Sequence, residues 1–188
     1  SLVATGSIKG LKSVVYCMNQ KFLGGSVGIE EGEAFVFACK YAVEHNIPFI
    51  AFPQTGGQKM QHSAYALMQM PKSIIGLQML EEKGIPAIIM ASSPVAGGVT
   101  ASWFYGPSVF VFAESELTKI MFAGPNVIKR TIGEDLPEGF RSGGEAAPGV
   151  VVRTLPLEVD VRRLVHRHLL GHEVVLHRGV RLFRCVCA

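Results

Sequence analysis

No two cysteines in this 188-residue chain are separated by two residues, the spacing a zinc ribbon needs; the four are Cys17, Cys39, Cys185 and Cys187. Cys17 and Cys39 lie in apolar runs and read as buried free thiols of a reducing compartment. No apolar run approaches the roughly 20 residues of a membrane helix. The opening Ser1-Leu2-Val3-Ala4-Thr5-Gly6 lacks the basic-then-apolar order of a secretory signal, so nothing in the residues asks for export. Charge is also scarce: charged residues make up 18% and the net charge is +3, too mild to imply nucleic acid. Hydrophobic residues, at 48%, argue against disorder and supply a sizeable core. No Ser-His-Asp or Cys-His set stands out, and no paired carboxylates flank a glycine loop.

What the chain does have is one local pattern, repeated. Ile47-Pro48-Phe49-Ile50-Ala51-Phe52 reads as a buried strand. It runs into Gln54-Thr55-Gly56-Gly57-Gln58-Lys59-Met60-Gln61 and then into an amphipathic stretch with Met60, Ala64, Leu67, Met68 and Pro71 at helical spacing. Such an arrangement leaves backbone N–H groups free at a helix start, where an anion or a developing oxyanion can sit. A second version is Ile85 to Ala91, then Ser92-Ser93-Pro94 and Gly97-Gly98. A third is Val14 to Met18, then Gly24-Gly25-Ser26. Three such units predict a repeated α/β architecture.

Taken in order, residues 1–13 suit an opening strand or hairpin around Gly6 and Gly10, and Val14 to Met18 a strand. Lys21 to Gly28 is a glycine-rich loop without the Lys-Ser/Thr ending of a nucleotide P-loop or the dinucleotide fingerprint. Glu31 to Glu44 reads as a helix, with Ala34, Phe35, Ala38, Tyr41 and Ala42 on one face. The next helical pattern runs to about Lys83, kinked or split at Pro71, with an apolar face wide enough to suggest a partner chain or another layer. Ser108 to Ala113 and Leu117 to Ala123 are expected strands, and Pro125 to Ile132 a helix opened by its proline. Phe122 to Pro125 reads as core and helix cap, and Trp103, Phe104 and Tyr105 as aromatic core or subunit interface.

Beyond Arg141 the composition changes. Residues 1–141 hold nine Lys and two Arg, whereas residues 142–188 hold no Lys, seven Arg and four of the six His. Gly143 to Gly149 reads as a linker, and Val159 to Leu170 as a basic helix. His166 and His168 do not share a helix face, so the tail reads as solvated basic surface rather than a metal site. The expected division is therefore a domain over residues 1–141 and an atypical Arg/His-rich segment over residues 142–188.

The residues from about Thr5 to Arg141 resemble the carboxyltransferase β subunits of bacterial-type, biotin-dependent acetyl-CoA carboxylases. The resemblance rests on Phe22-Leu23-Gly24-Gly25-Ser26-Val27-Gly28, Gly32-Glu33-Ala34-Phe35 and Gly56-Gly57-Gln58-Lys59-Met60-Gln61. It continues through Leu67-Met68-Gln69-Met70, Pro94 to Ser102, Phe122 to Ile128 and Leu136-Pro137-Glu138-Gly139-Phe140. It implies an α/β, crotonase-like (ClpP/crotonase) spiral of ββα repeats. It also implies transfer of a carboxyl group from carboxybiotin, borne on a separate biotin carboxyl carrier protein, to acetyl-CoA, making malonyl-CoA for fatty-acid synthesis. A carboxyltransferase α subunit would complete the site in an α2β2-type assembly, in the cytoplasm or a plastid stroma. No zinc is expected in this chain, because the family's N-terminal four-cysteine ribbon is absent. Other departures are Gln58-Lys59 where the family commonly has Ala-Arg, His62 in place of an acidic residue, and the unfamiliar segment after Arg141. Two other readings stay open: a malonate or malonyl-thioester decarboxylase subunit, and a degenerate CoA- or partner-binding subunit.

Carboxyl transfer to a thioester's α-carbon passes through an enolate, whose negative oxygen needs preorganised N–H donors. The expected donors lie in Gly56, Gly57, Gly97 and Gly98, the two loops together supplying one oxyanion site and the partner subunit the other, and the expected base is the biotin ureido group, so no protein base is required. Gly24, Gly25, Ser26, Gln61 and Gly124 are expected around CoA. Lys59 fits either the CoA phosphates and transferred carboxylate or a solvated helix start, and His62 reads as a surface histidine.

Overall fold

The computed structural model describes residues 1–106, 108–113, 118–134 and 152–154. The chain opens on a hairpin, β1 (Leu2–Ile8) and β2 (Leu11–Cys17), turned at Lys9-Gly10 with both residues at positive φ. From β2 onward it repeats one plan. A buried strand joins the main sheet, a short extended piece joins a second layer, and a helix follows. The main sheet runs β1, β2, β3 (Phe49–Phe52), β4 (Ala87–Ala91), β6 (Val109–Ala113) and β8 (Val152–Thr154), parallel from β2 onward. Its central strands are buried on both faces, which is why 49–52 and 87–91 read as continuous apolar runs rather than alternating ones.

The second layer is narrow. It comprises β5 (Val95–Ala96) paired with β7 (Ile120–Met121), extended by parallel bridges between Thr55 and Val95 and between Val27 and Gln58. Each short piece leads to its helix: α1 (Ile29–His45), the pair α2 (Ser63–Leu67) and α3 (Gln69–Glu82), α4 (Gly98–Ser102), and α5 (Pro125–Ile132). Tyr16, Phe35, Phe49 and Trp103 form the aromatic centre of the core, with Phe35 stacked on Trp103 at 4.1 Å and edge-on to Phe49 at 5.1 Å. Such pairs add about 1 kcal/mol each beyond their area burial. The crossing of α1 on α3 is close because its contact points are small. A Cβ at Gly76 would lie 3.3 Å from Cys39 Sγ, and one at Gly32 would collide with the Gln69 side chain.

Several boundaries differ from expectation. The break in the long helix falls at Met68, and Pro71 sits in the first turn of α3, where its missing N–H costs nothing because that position has no intrahelical acceptor. The segment after Lys59 begins as a 3-10 turn (Met60–His62) rather than an α-helix. Of the expected strand Leu117 to Ala123, the described residues 118–123 hold strand only at Ile120–Met121, and Phe122 is exposed rather than core. Trp103 and Phe104 are buried, while Tyr105 is partly exposed. The expected linker and basic helix after Arg141 lie outside the described residues, as do Cys185 and Cys187; β8 adds a strand to the main sheet beyond that boundary.

Candidate functional site

The two central Gly-Gly bends touch. A Cβ on Gly97 would lie 2.9 Å from the Gly57 Cα and 3.6 Å from the Gln58 nitrogen. Gly57 has φ +125° and Gly97 φ +74°, so both positions need glycine for conformation as well as space. Their register is set by two backbone bonds: Thr55 donates its N–H to the Pro94 carbonyl at 2.8 Å, and Ala96 donates to the Thr55 carbonyl at 3.0 Å. The bends therefore belong to adjacent strands of the second layer, which the sequence pattern alone could not show.

Three of the four expected donor amides are committed elsewhere. Gly56 N–H donates to the Gly24 carbonyl at 2.9 Å, Gly57 N–H to the Thr55 hydroxyl at 3.0 Å, and Gly97 N–H to the Met121 carbonyl at 3.1 Å. The cause is the layer itself: extended pieces satisfy their amides by pairing sideways. Among the described residues, the Gly98 N–H at the first position of α4 and the Gln58 N–H have no acceptor. Gln58 was not among the expected donors, because a residue just after a glycine pair carries no signal of which edge its amide faces. Its side chain ties the bend to α2 by donating to the Ala66 carbonyl at 2.6 Å, and its buried Oε1 accepts no bond among the described residues. Gln58 Cδ and Met70 Sδ wall Gly98, lying 2.9 and 2.7 Å from where its Cβ would be.

The other expected residues divide. Gly24 and Gly25 support the first bend rather than standing apart from it: Gly24 supplies the carbonyl to Gly56, and a Cβ on Gly25 would strike the Gln54 carbonyl. Ser26 is half-buried in the same loop, Gln61 is exposed, and Gly124 precedes α5 as its N-cap.

Lys59 turns its charge onto the start of α1 rather than to solvent. It is 6% exposed, and its Nζ lies 3.0 Å from Glu31 Oε2 and 3.3 Å from Glu30 Oε2. Burial alone would push the ammonium's pKa down; the Glu31 and Glu30 carboxylates outweigh that and the net direction is up. The exposed Glu30 carboxyl is held below its ordinary range, first by its own backbone N–H and then by Lys59. Glu31 Oε2 also accepts the Gly28 N–H at 2.8 Å. A glutamate three residues beyond Gly28 was the available sequence signal for this partner. His62 is no free surface histidine either: its Nδ1 accepts the Ile29 N–H at 3.1 Å. Because that nitrogen is an acceptor, its 3.7 Å approach to Glu30 is not an ion pair in this arrangement. Cys17 and Cys39 are buried and outside any disulfide, and burial raises the Cys39 thiol far above its usual range. No group of three or more His, Cys, Asp or Glu that could hold a metal is present among the described residues.

The carboxyl transferase domain model matches residues 2–148. The chain belongs to the carboxyl transferase domain family. Over 140 residues it is 45% identical to the acetyl-coenzyme A carboxylase carboxyl transferase subunit beta of Gluconobacter oxydans, covering 74% of this chain and 48% of that one. Over 181 residues it is 39% identical to the like-named protein of Granulibacter bethesdensis, covering 96% and 57%. The chain thus spans about half the length of the curated relatives it matches. Among solved structures of carboxyl transferases, a transcarboxylase 12S with methylmalonyl-coenzyme A and methylmalonic acid bound superposes with a TM-score of 0.62 at 25% identity, over 71% of this chain and 25% of that one. The Pseudomonas malonate decarboxylase MdcD–MdcE heterodimer gives a TM-score of 0.65 at 21% identity, over 90% and 84%. The fold is the expected crotonase-like one, and the repeated ββα plan is its local form.

Proposed function

We propose that this chain is the β-type half of the carboxyltransferase of a biotin-dependent acetyl-CoA carboxylase. In this reading it moves a carboxyl group from carboxybiotin, borne on a carrier protein, to acetyl-CoA, and the product is malonyl-CoA. The observation that carries the reading is the contact of the two bends, which brings the Gln58 amide to the edge of the second bend while the Gly98 amide opens α4. Those two N–H groups would receive the thioester oxygen as it becomes an enolate. Loss of one such donor in a comparable site costs about 3 kcal/mol, roughly a hundredfold in rate. Gly57 and Gly97 hold the bends together, and Thr55 fixes the first by binding the Gly57 amide. No side chain of the described site acts as base.

A partner is called for. The outward side of α2 and α3, with the turn before them, exposes Met60 (87%), Tyr65 (69%), Met68 (58%) and Ile75 (57%), with Leu67 and Ile74 beside them. Apolar surface of that kind marks an interaction site. We assign it to a carboxyltransferase α subunit, which would bring the second oxyanion site. No helix among the described residues is long and apolar enough to cross a membrane. Two buried cysteines outside any disulfide, Cys17 and Cys39, favour the cytoplasm, or a plastid stroma.

A malonate decarboxylase subunit is the second reading, favoured by the MdcD–MdcE likeness covering most of both chains. One experiment separates them. The chain is mixed with a carboxyltransferase α subunit and given carboxybiotin with acetyl-CoA, or a malonyl thioester alone. Malonyl-CoA formation in the first arm supports carboxyl transfer. Carbon dioxide release in the second arm without biotin supports the decarboxylase. Neither product, from a folded complex, would leave a binding subunit.

A further inference from the structure

The segment that follows the first bend is pinned to the start of α1 from several directions. Val27 N–H donates to the Gly57 carbonyl at 2.9 Å, and Lys59 N–H to the Val27 carbonyl at 2.8 Å. Lys59 Nζ reaches Glu31 at 3.0 Å, and His62 Nδ1 accepts from Ile29 N–H at 3.1 Å. Gly28 is what lets both side chains in. A Cβ there would lie 2.5 Å from His62 Nδ1 and 2.9 Å from Lys59 Cδ. Immediately after His62, Ser63 has φ +50° and ψ −134°, a conformation a non-glycine residue keeps only when its surroundings over-determine it. The 3-10 turn between Lys59 and His62 is therefore stretched between two anchors on one helix start.

We propose that His62, together with Glu31, is a positioning residue: it caps α1 from outside the helix and thereby fixes the 57–62 segment, and with it the Gln58 amide, against the second bend. Neither residue touches the reacting atoms. His62 satisfies the Ile29 N–H, one of the helix-start donors that have no partner within the helix, from outside the helix. Glu31 joins the two anchors, since one oxygen, Oε2, receives both the Gly28 N–H and the Lys59 ammonium. The helix start and the bend then move as one body.

The kinetic arm of the test rests on the carboxyl-transfer reading above; the exchange arm does not. His62→Ala removes the acceptor, His62→Asn returns one, and Ile29→Pro removes the donor at a first helical position where proline is tolerated. Amide hydrogen exchange across residues 57–62 is expected to quicken about five- to tenfold in His62→Ala and in Ile29→Pro, and to return toward wild type in His62→Asn. In the complex with an α subunit, malonyl-CoA formation should lose kcat about tenfold with the acetyl-CoA KM little changed, following the same order of variants. Unchanged exchange over 57–62 in both His62→Ala and Ile29→Pro, or no recovery in His62→Asn, overturns the proposal. A wild-type complex without carboxyl transfer would count against the proposed function alone, because the exchange result still decides whether the anchor exists.

Discussion

The two bends share a sequence pattern and differ in how many side chains hold them. The first, at Gly56-Gly57, adds to its backbone bonds with Gly24, Val27 and Pro94 a set of side-chain contacts: the Thr55 hydroxyl, the Gln58 amide on Ala66, and the Lys59 and His62 contacts with α1. The second, at Gly97-Gly98, is fixed by backbone. Ala96 bonds to Thr55 and Gly97 to Met121, with the Thr100 hydroxyl closing on the Gly97 carbonyl at 2.7 Å. At the first bend Gly56 has room for change, whereas Gly57, at φ +125°, does not. At the second bend Gly97 is wedged against the Gly57 backbone and tolerates almost nothing, whereas Gly98 faces the side chains of Met70 and Gln58.

Substitution should break that contrast first at Gly97. Gly97→Ala places a Cβ 2.9 Å from the Gly57 Cα at φ +74°. The strain and the collision together should cost about 3 kcal/mol and carboxyl transfer should fall at least a hundredfold. Gly56→Ala meets only the Gly24 carbonyl, at 3.5 Å, and should stay within about 1 kcal/mol of wild type. Denaturant titration and turnover of the two variants side by side check the asymmetry. Equal losses would mean that the bends are held alike.

A different kind of contrast lies between this locked interior and the outward side of α2 and α3. Ile75→Glu, on a side chain 57% exposed, should leave the melting temperature of the isolated chain within a few degrees. Association with an α subunit should weaken about tenfold or more, as measured by sedimentation or calorimetry. A lowered melting temperature with unchanged association would place the partner elsewhere.

The smallest expected effect concerns charge. Lys59 has its pKa raised in the folded chain above the ordinary 10.5. The raised folded value means that the ammonium's contribution to stability is complete below about pH 10.5 and is lost as pH rises through the folded value. Arginine does not titrate there. Lys59→Arg should therefore lose less stability than wild type between pH 10 and 12, by about 1 kcal/mol or less. Parallel alkaline curves would show that Lys59 is not what the buried Glu31 carboxylate relies on.

Much of the fold was legible because its strands are buried on both faces and bounded by glycine pairs. The 49–52 and 87–91 strands, α1 and α5 lie where apolar runs, acidic first turns and Pro125 place them. The second layer was not legible. Its strands are two residues long or single bridges, too short for any period to register. Hence the bends were recognised as two parts of one candidate site, but the commitment of the Gly56, Gly57 and Gly97 amides was not. Lys59 and His62 misled for a related reason. A polar side chain beside a glycine-rich turn looks solvated until the partner helix, reached through Val27-Gly28, is in place.

The central claim is that backbone donors at the meeting of two bends, rather than a side-chain acid or base, stabilise the reacting oxygen. Gly98 isolates it. Gly98→Ala and Gly98→Pro both add a Cβ facing the flexible ends of Met70 and Gln58, and proline suits the first position of α4, but only proline deletes the N–H. With an α subunit present and both variants folded, kcat for malonyl-CoA formation should be about a hundredfold lower in Gly98→Pro than in Gly98→Ala. Equal kcat values in the two variants would contradict the account.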